Sequence, residues 1–297
     1  MNLDELKAFL AVVECQSFTL AADKIHLTQP AISKRVAKLE DSLDTRLFDR
    51  IGSKVLLTEA GQVLLERANE VLRELEDIER AIHNLSGEVS GKIQFATSHH
   101  IGLHRLPPVF EKFHQHHPAV GLDVRFLDSE QACLQVSRGE LEFAIVTLPP
   151  EVNPPLITEA VWPDPIEVMV SNRHPLAELS SSISPDELAR HAALLPAIGT
   201  YTRELIARAF AALKTPLNIE ISSNYLEVLK MLTVAGLGWS ALPRSMLDDR
   251  LCAVSVSGLY LQRELGIVTH EKRTLSNAGQ LFVNMIRQAG NPSSASL

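Results

Sequence analysis

Four cations, Lys24, Lys34, Arg35 and Lys38, fall within Lys24–Leu39, a stretch that carries no acid. Such a set suits a phosphate backbone if its members share a face. Helical spacing supplies one, with Ile32, Val36 and Leu39 on the opposite side. A second group of residues has other chemistry. Ser98, His99 and His100, with His104 one turn further on, follow a strand-like run, and Thr200, Tyr201 and Thr202 open a helix-like run in the second half of the chain. A helix N-terminus offers unpaired N–H groups and the positive end of a dipole, so two of them facing each other favour a small anion. Ser129 and Thr147 each follow a strand-like run and could add hydroxyls to the same space.

Other candidates carry less. His114, His116 and His117 precede Pro118 at a predicted helix C-terminus, where imidazolium complements the dipole and stays exposed. His99, His100 and His104 are weighed as hydrogen-bonding groups toward a small ligand, as capping or core-lining residues and as metal ligands, the ligand role being preferred to the metal, which is not assigned. Gly87–Lys92 has the look of a phosphate loop, but it is short and Ile93 stands where Ser or Thr is needed. No G-x-S-x-G elbow and no nucleophile, base or metal set at recognisable spacing is present, so neither an enzyme nor a cofactor is expected.

The elements that must position the cations are legible by periodicity. Helix one is predicted over Leu3–Glu14, with Leu6, Phe9, Leu10 and Val13 inward. Ser17–Glu40 reads as two helices joined by a tight turn, the second capped by Thr28 with Pro30 in its first turn. Leu47–Arg50 and Lys54–Leu57 read as two short strands around Ile51-Gly52-Ser53. In a DNA-binding reading, Thr28, Gln29 and Pro30 open the recognition helix. Gln29, Ser33 and Lys34 then approach base edges, while Arg35, Lys38, Arg50 and Lys54 contact phosphates. Residues 1–58 hold eight Lys/Arg and eight Asp/Glu, so the arrangement of charge, not its sum, must carry binding.

Thr58 caps a long helix running to Ser86-Gly87. Leu64, Ala68, Val71, Leu75, Ile78, Ile82 and Leu85 alternate steps of four and three along it, a narrow seam that suits a second copy of the same helix. Beyond Lys92 the pattern is α/β. Strands are predicted at Lys92–Ala96, Leu122–Phe126 and Glu142–Val146, with helices at Leu106–His114 and Glu130–Arg138. A second set has strands at Glu167–Val170, Ala192–Pro196, Asn218–Ile221 and Trp239–Leu242, with helices at Tyr201–Leu213 and Asn224–Ala235. Two α/β sets in series imply two lobes with a cleft between them. The chain should cross near Ala160–Asp164 and return near Gly266–His270, so that a helix over Leu275–Gln288 completes the first lobe.

At 297 residues with 45% hydrophobic content the chain suits two or three compact units. Its formal charge of −8 argues mildly against nucleic acid as a global partner. Cys15, Cys133 and Cys252 are odd in number and scattered, which speaks against a disulfide framework or a C-x-x-C zinc site. No run has the length of a spanning helix and the first residues are acidic, so the expectation is a soluble, cytoplasmic protein without a membrane partner.

The runs Phe9–Val13, Ser17–Ala22, Leu27–Ser33 and Leu47–Arg50 together resemble the N-terminal signature of LysR-type transcriptional regulators, a match covering most of residues 3–61. The doubled α/β region is similar to that family's effector-binding domain, itself like periplasmic solute-binding proteins. The resemblance implies an α/β chain with an N-terminal winged helix-turn-helix (1–58), a linker and dimerisation helix (59–87) and a two-lobed effector domain (92–290). Lobe one would hold 92–162 and 267–290, lobe two 163–266. It further implies double-stranded promoter DNA and a small anionic metabolite as partners, a homodimer with a tetramer of paired dimers favoured, and RNA polymerase as a further candidate partner. Ser98, His100, Ser129, Thr147 and Thr202 match the family's usual effector-contact places, and the set expected to bind effector is Ser98, His99, His100, Ser129, Thr147, Thr200 and Thr202. His100 departs from the small hydroxyl residues frequent there. A solute-binding protein with an accessory DNA module and an enzyme acting on a small acid are the competing readings.

Overall fold

Asn2 opens the fold with a reciprocal cap: its side chain accepts the Glu5 N–H at 3.0 Å, and the Glu5 carboxylate accepts the Asn2 N–H at 2.9 Å. The cap starts α1 (Leu3–Cys15). Ser17 caps α2 (Phe18–Lys24), and Thr28 caps α3 (Gln29–Leu43), with Pro30 in the first turn as predicted. The strands β1 (Phe48–Ile51) and β2 (Lys54–Leu57) pair antiparallel. Phe9, Ile32, Val36, Leu39 and Leu47 form the buried centre of this unit. Glu40 Oε1 accepts the N–H groups of Leu47 and Phe48 at 2.7 and 3.3 Å, which ties the end of α3 to β1.

The structure, a computed structural model, describes residues 1–51, 54–179 and 181–290, except the side chains of Arg50, Ile51 and Lys54. Gly52 and Ser53 of the predicted turn, the phosphate contacts expected of Arg50 and Lys54, and the tail Asn291–Leu297 lie outside the described residues. The chain divides into two units, Met1–Glu79 and Arg80–Leu297.

Thr58 Oγ1 donates to the Arg46 carbonyl at 2.7 Å and accepts the Gly61 N–H at 3.0 Å, and so begins α4 (Glu59–Asn84). A Cβ at Gly61 would collide with the Leu47 carbonyl, so only glycine lets α4 start this close to the hairpin. Ala68 of the predicted seam is buried, whereas Val71, Leu75, Ile78, Ile82 and Leu85 are exposed.

In the second unit β3 (Lys92–Thr97) leads through α5 (His99–His104) and α6 (Pro107–His116) to β4 (Gly121–Phe126), then through α7 (Ser129–Ser137) to β5 (Phe143–Thr147). The long β6 (Leu156–Ser171) follows, then α8 (Pro185–Ala189), β7 (Ala193–Leu195), α9 (Tyr201–Ala212), β8 (Ile219–Ser222) and α10 (Leu226–Val234). Next come β9 (Ser240–Pro243), β10 (Leu251–Val254), β11 (Leu261–His270) and α11 (Asn277–Gly290). The main sheet has the order β10-β6-β11-β5-β3-β4, with β9 also on β6; β7 and β8 form a separate parallel pair. The parallel pairs β3–β4 and β3–β5 are joined through helices, as parallel strands require.

Each of the two lobes has one large hydrophobic centre and a smaller one. In lobe one Phe95, Phe143 and Phe282 pack together, with Phe95 and Phe143 stacked at 4.9 Å. In lobe two Ile206, Phe210 and Trp239 do so, with Phe210 and Trp239 stacked at 5.7 Å. The strands β6 and β11 pair antiparallel and run through both lobes. Trp162 and Leu265 belong to the first centre, Ile166 and Leu261 to the second. The return therefore falls a little ahead of Gly266–His270, where it was expected. The pairing register shifts between Leu265 and Gly266. A Cβ at Gly266 would collide with the Glu159 carbonyl, so glycine permits the close approach at this irregularity.

The sequence pattern predicts Glu167–Val170 as a short strand after a crossing, but β6 is one strand of 16 residues. Pro163, Asp164 and Pro165 break the apolar run that would have signalled it. Cross-strand pairing with β11 holds this polar stretch extended. The pattern also missed β10, α8 and the first half of β11.

Candidate functional site

The exposed side of α3 carries Thr28, Gln29, Pro30 and Lys34, with Ser33 half-buried beside them. Gln29 Nε2 donates to Ser33 Oγ at 2.9 Å, so two of the predicted base-reading side chains are already held together. Among the described residues no ion pair engages Lys34. The predicted phosphate cations differ. Arg35 pairs with Asp4 at 3.2 Å, Lys38 pairs with Glu5 at 3.2 Å, and Lys24 pairs with Glu14. Burial opposes the charge on Glu5, but hydrogen bonds from Lys38 and the Asn2 N–H outweigh it and hold this carboxyl below its ordinary range. The acids come from α1, too distant in sequence to be seen beside α3.

In the second unit the seven predicted effector residues line one cavity of about 270 Å³, together with Asp128, Glu130, Asn224, Tyr225 and Arg263. Ser98 precedes α5 and makes no side-chain cap bond, which leaves its hydroxyl for the cavity. Ser129 Oγ accepts the Thr147 N–H at 3.2 Å, joining α7 to β5. His99 meets the Tyr225 ring edge-on at 5.4 Å.

From lobe two, Thr200 caps α9 by accepting the Arg203 N–H at 3.2 Å. The N–H of Tyr201 donates to the carboxylate of Glu130, which reaches over from α7 of lobe one. Burial raises the pKa of Glu130, and the bond from Tyr201 opposes that shift. Asn224 Nδ2 donates to Asp128 Oδ2 at 2.7 Å, a second link between the lobes. At the floor, Arg263 Nη1 donates to Thr202 Oγ1 at 2.6 Å and Arg263 Nε to Asp164 Oδ2 at 2.8 Å. Arg263 and Asp164 are both buried, so the cation is matched by a carboxylate of its own and also steers the Thr202 hydroxyl.

A third group closes one edge of the cavity. His104 Nε2 lies 3.1 Å and His100 Nδ1 3.5 Å from Glu227 Oε1 on α10. Burial lowers the His100 pKa against the pull of Glu227, so the ring is favoured as neutral imidazole. These three residues could hold a metal ion. His114 and His116 lie in the last turn of α6, exposed as predicted.

The family model for the LysR substrate binding domain matches residues 86–291, and that for the bacterial regulatory helix-turn-helix protein, lysR family, matches residues 3–62. The chain belongs to the LysR family of transcriptional regulators. It is a DNA-binding regulator with an effector-binding domain and not an enzyme. This LysR-family chain is 60% identical over 108 residues to an uncharacterized HTH-type transcriptional regulator in the ibpB-leuC intergenic region of Azotobacter vinelandii, covering 36% of the chain and 75% of that relative. It is 26% identical to the HTH-type transcriptional activator CmpR of a Synechocystis strain, covering 96% of the chain and 94% of the relative. Its fold is like that of full-length OxyR from Pseudomonas aeruginosa, with a TM-score of 0.71 at 24% identity, covering 97% of this chain and 98% of that one.

Sequence reasoning missed several residues of this LysR-type site, Asp128 and Tyr225 of the cavity lining among them. Glu130 was read only as the start of a helix, and Arg263, Asp164 and Glu227 were not singled out. Glu130 directly follows Ser129, so its place at a helix start after a strand was a usable signal. Arg263, Asp164 and Glu227 had none: only the pairing of β6 with β11 brings Asp164 to Arg263, which lines the cavity, and only the fold brings Glu227 to His100 and His104. Arg263 also lines the cavity in which two helix N-termini were expected to favour an anion.

Proposed function

We infer that the effector is a small organic acid whose carboxylate takes the place of Glu130 at the N-terminus of α9. The observation that carries this reading is the bond from the Tyr201 N–H to the Glu130 carboxylate. That helix end already accepts a carboxylate, so a ligand carboxylate meets donors of matching charge and direction. Thr202, oriented by Arg263, and Ser98 supply hydroxyls, while Asp128 on the same wall suits a hydroxyl or amino group elsewhere on the molecule. The cavity is at the small end of ligand pockets, which run from roughly 300 Å³ upward, and so favours a compact acid.

The effector then acts by replacing one link between the lobes with another, which biases their closure. Promoter DNA is read by the open side of α3, two copies joined along α4 presenting two such helices to two half-sites. The exposure of Val71, Leu75, Ile78 and Ile82 supports a second copy as their cover.

Calorimetry with a panel of small mono- and dicarboxylates tests the effector reading. A binder is expected whose affinity falls about tenfold or more in Thr202→Val and in Ser98→Ala, the loss of a hydrogen bond to a charged group. DNA affinity without the acid should stay near that of the unchanged protein. A binder indifferent to both substitutions, or a panel in which only amines bind, overturns the reading.

A further inference from the structure

Glu227 is hydrogen-bonded to His104, whereas His100 stands near the same carboxylate without a hydrogen bond. His100 is 4% exposed, and neither of its ring nitrogens makes a hydrogen bond among the described residues. Its Nδ1 stands 3.5 Å from Glu227 Oε1, outside hydrogen-bonding geometry. Glu227 Oε2 is likewise buried without a partner. Buried polar atoms are almost always satisfied, so three orphaned atoms at one place call for a missing partner. The hydrogen bond to Glu227 satisfies His104 and leaves both ring nitrogens of His100 without one.

The donors are those of a transition metal. His100 and His104 are one turn apart on α5 and so share a face. The ligand atoms of His100, His104 and Glu227 lie within 4.8 Å of one another. His104 is 41% exposed and has room to turn inward toward bonds of about 2.0–2.2 Å. We propose that His100, His104 and Glu227 form a binding site for a divalent transition-metal ion of the zinc, cobalt or nickel kind. Two imidazoles and one carboxylate are a known zinc-binding set that leaves a further position for water or for a ligand atom.

The site bridges the lobes. α5 belongs to lobe one and α10 to lobe two, so the ion holds the cavity edge closed. His100 also lines the cavity, and the metal and the effector therefore act on the same closure equilibrium, each changing the affinity of the other by the same factor. The metal site does not depend on the carboxylate reading, because it is scored with no organic acid present.

The test uses full-length, untagged protein titrated with Co²⁺ and then Zn²⁺. One Co²⁺ per chain is expected to produce visible d–d absorption, which one equivalent of Zn²⁺ abolishes. His104→Ala and Glu227→Gln should each weaken binding about tenfold or more, since even partners outside the ligand shell contribute 10–100-fold. A control carrying His114→Asn, His116→Asn and His117→Asn should keep the site. His104→Ala alters a half-exposed side chain, and circular dichroism confirms that the variant is folded. Absence of Co²⁺ absorption in the unchanged protein overturns the proposal. So does equal Zn²⁺ affinity in the unchanged protein and the His104→Ala/Glu227→Gln double variant, or loss of the site in the α6 control alone.

Discussion

The carboxylate of Glu130, on the first helix turn after β4, accepts the backbone N–H of Tyr201, the first residue of α9. One side chain of lobe one thus closes the end of a helix of lobe two. Tyr201 also packs its ring against the lobe-one cluster around Cys133 and Val136. The first turn of α9 is therefore docked on both lobes.

A ligand carboxylate and Glu130 should compete for the same N–H. Glu130→Gln keeps the shape and removes the charge, so acid binding by calorimetry should tighten about tenfold, the value of one charge-assisted bond. Burial raises the folded pKa of Glu130 above 4.5, so its protonated form gains population above the ordinary carboxylate range. Affinity for an acid that stays ionised should then rise as pH falls from neutrality toward that range, and the rise should be absent in Glu130→Gln. Equal pH profiles in the two proteins would refute the competition.

On the DNA side, Lys34 is exposed and unpaired among the described residues, while Arg35 and Lys38 are held by Asp4 and Glu5. Expected from sequence at base edges, Lys34 is the cation these pairings leave free for phosphate, so fluorescence anisotropy over a salt series should show Lys34→Ala lowering the salt slope by about one. Arg35→Ala and Lys38→Ala should lower it less, because these cations are already partly neutralised. A slope unchanged in Lys34→Ala would remove it from the interface.

The seam of α4 should be an interface between copies. Ile78 is 49% exposed in the single chain, and a glutamate there would be desolvated without a partner on assembly. Light scattering after size exclusion should show Ile78→Glu as a smaller species or a misassembled one. An unchanged mass would assign the seam another role.

Cys133 should be the slow thiol. Burial pushes it up to about 11 from 9.0, so the reactive thiolate is scarce at neutral pH. The folded chain holds this proton more tightly than the unfolded one. The stability linked to it is fully present below pH 9.0 and is lost as pH rises toward about 11. Alkylation of the native protein, read by peptide mass spectrometry, should label Cys15 and Cys252 well before Cys133. Equal rates would contradict the burial of Cys133.

Much of the helix-turn-helix was legible because its signals are local. Thr28 caps α3 three residues ahead of the amide it serves, Pro30 sits where no N–H is missed, and Ile32, Val36 and Leu39 repeat at helical spacing. The α4 seam reads the same way. The seven predicted cavity residues were found because each follows or opens an element, and such positions collect at one edge of an α/β sheet. Their roles as effector contacts are still those proposed above.

Long-range placement was decided by the tertiary structure alone. Asp164 meets Arg263, and Glu227 meets His100 and His104, across separations that no periodicity reports. β6 is a single strand through both lobes because β11 pairs with it, although its own polar and proline residues argue against one. Arg35 and Lys38 read as free cations in sequence and are paired once α1 lies against α3. The physical reason is common to all of these: caps and amphipathic faces follow from residues three or four apart, whereas a charge finds its partner only after the chain has folded back on itself.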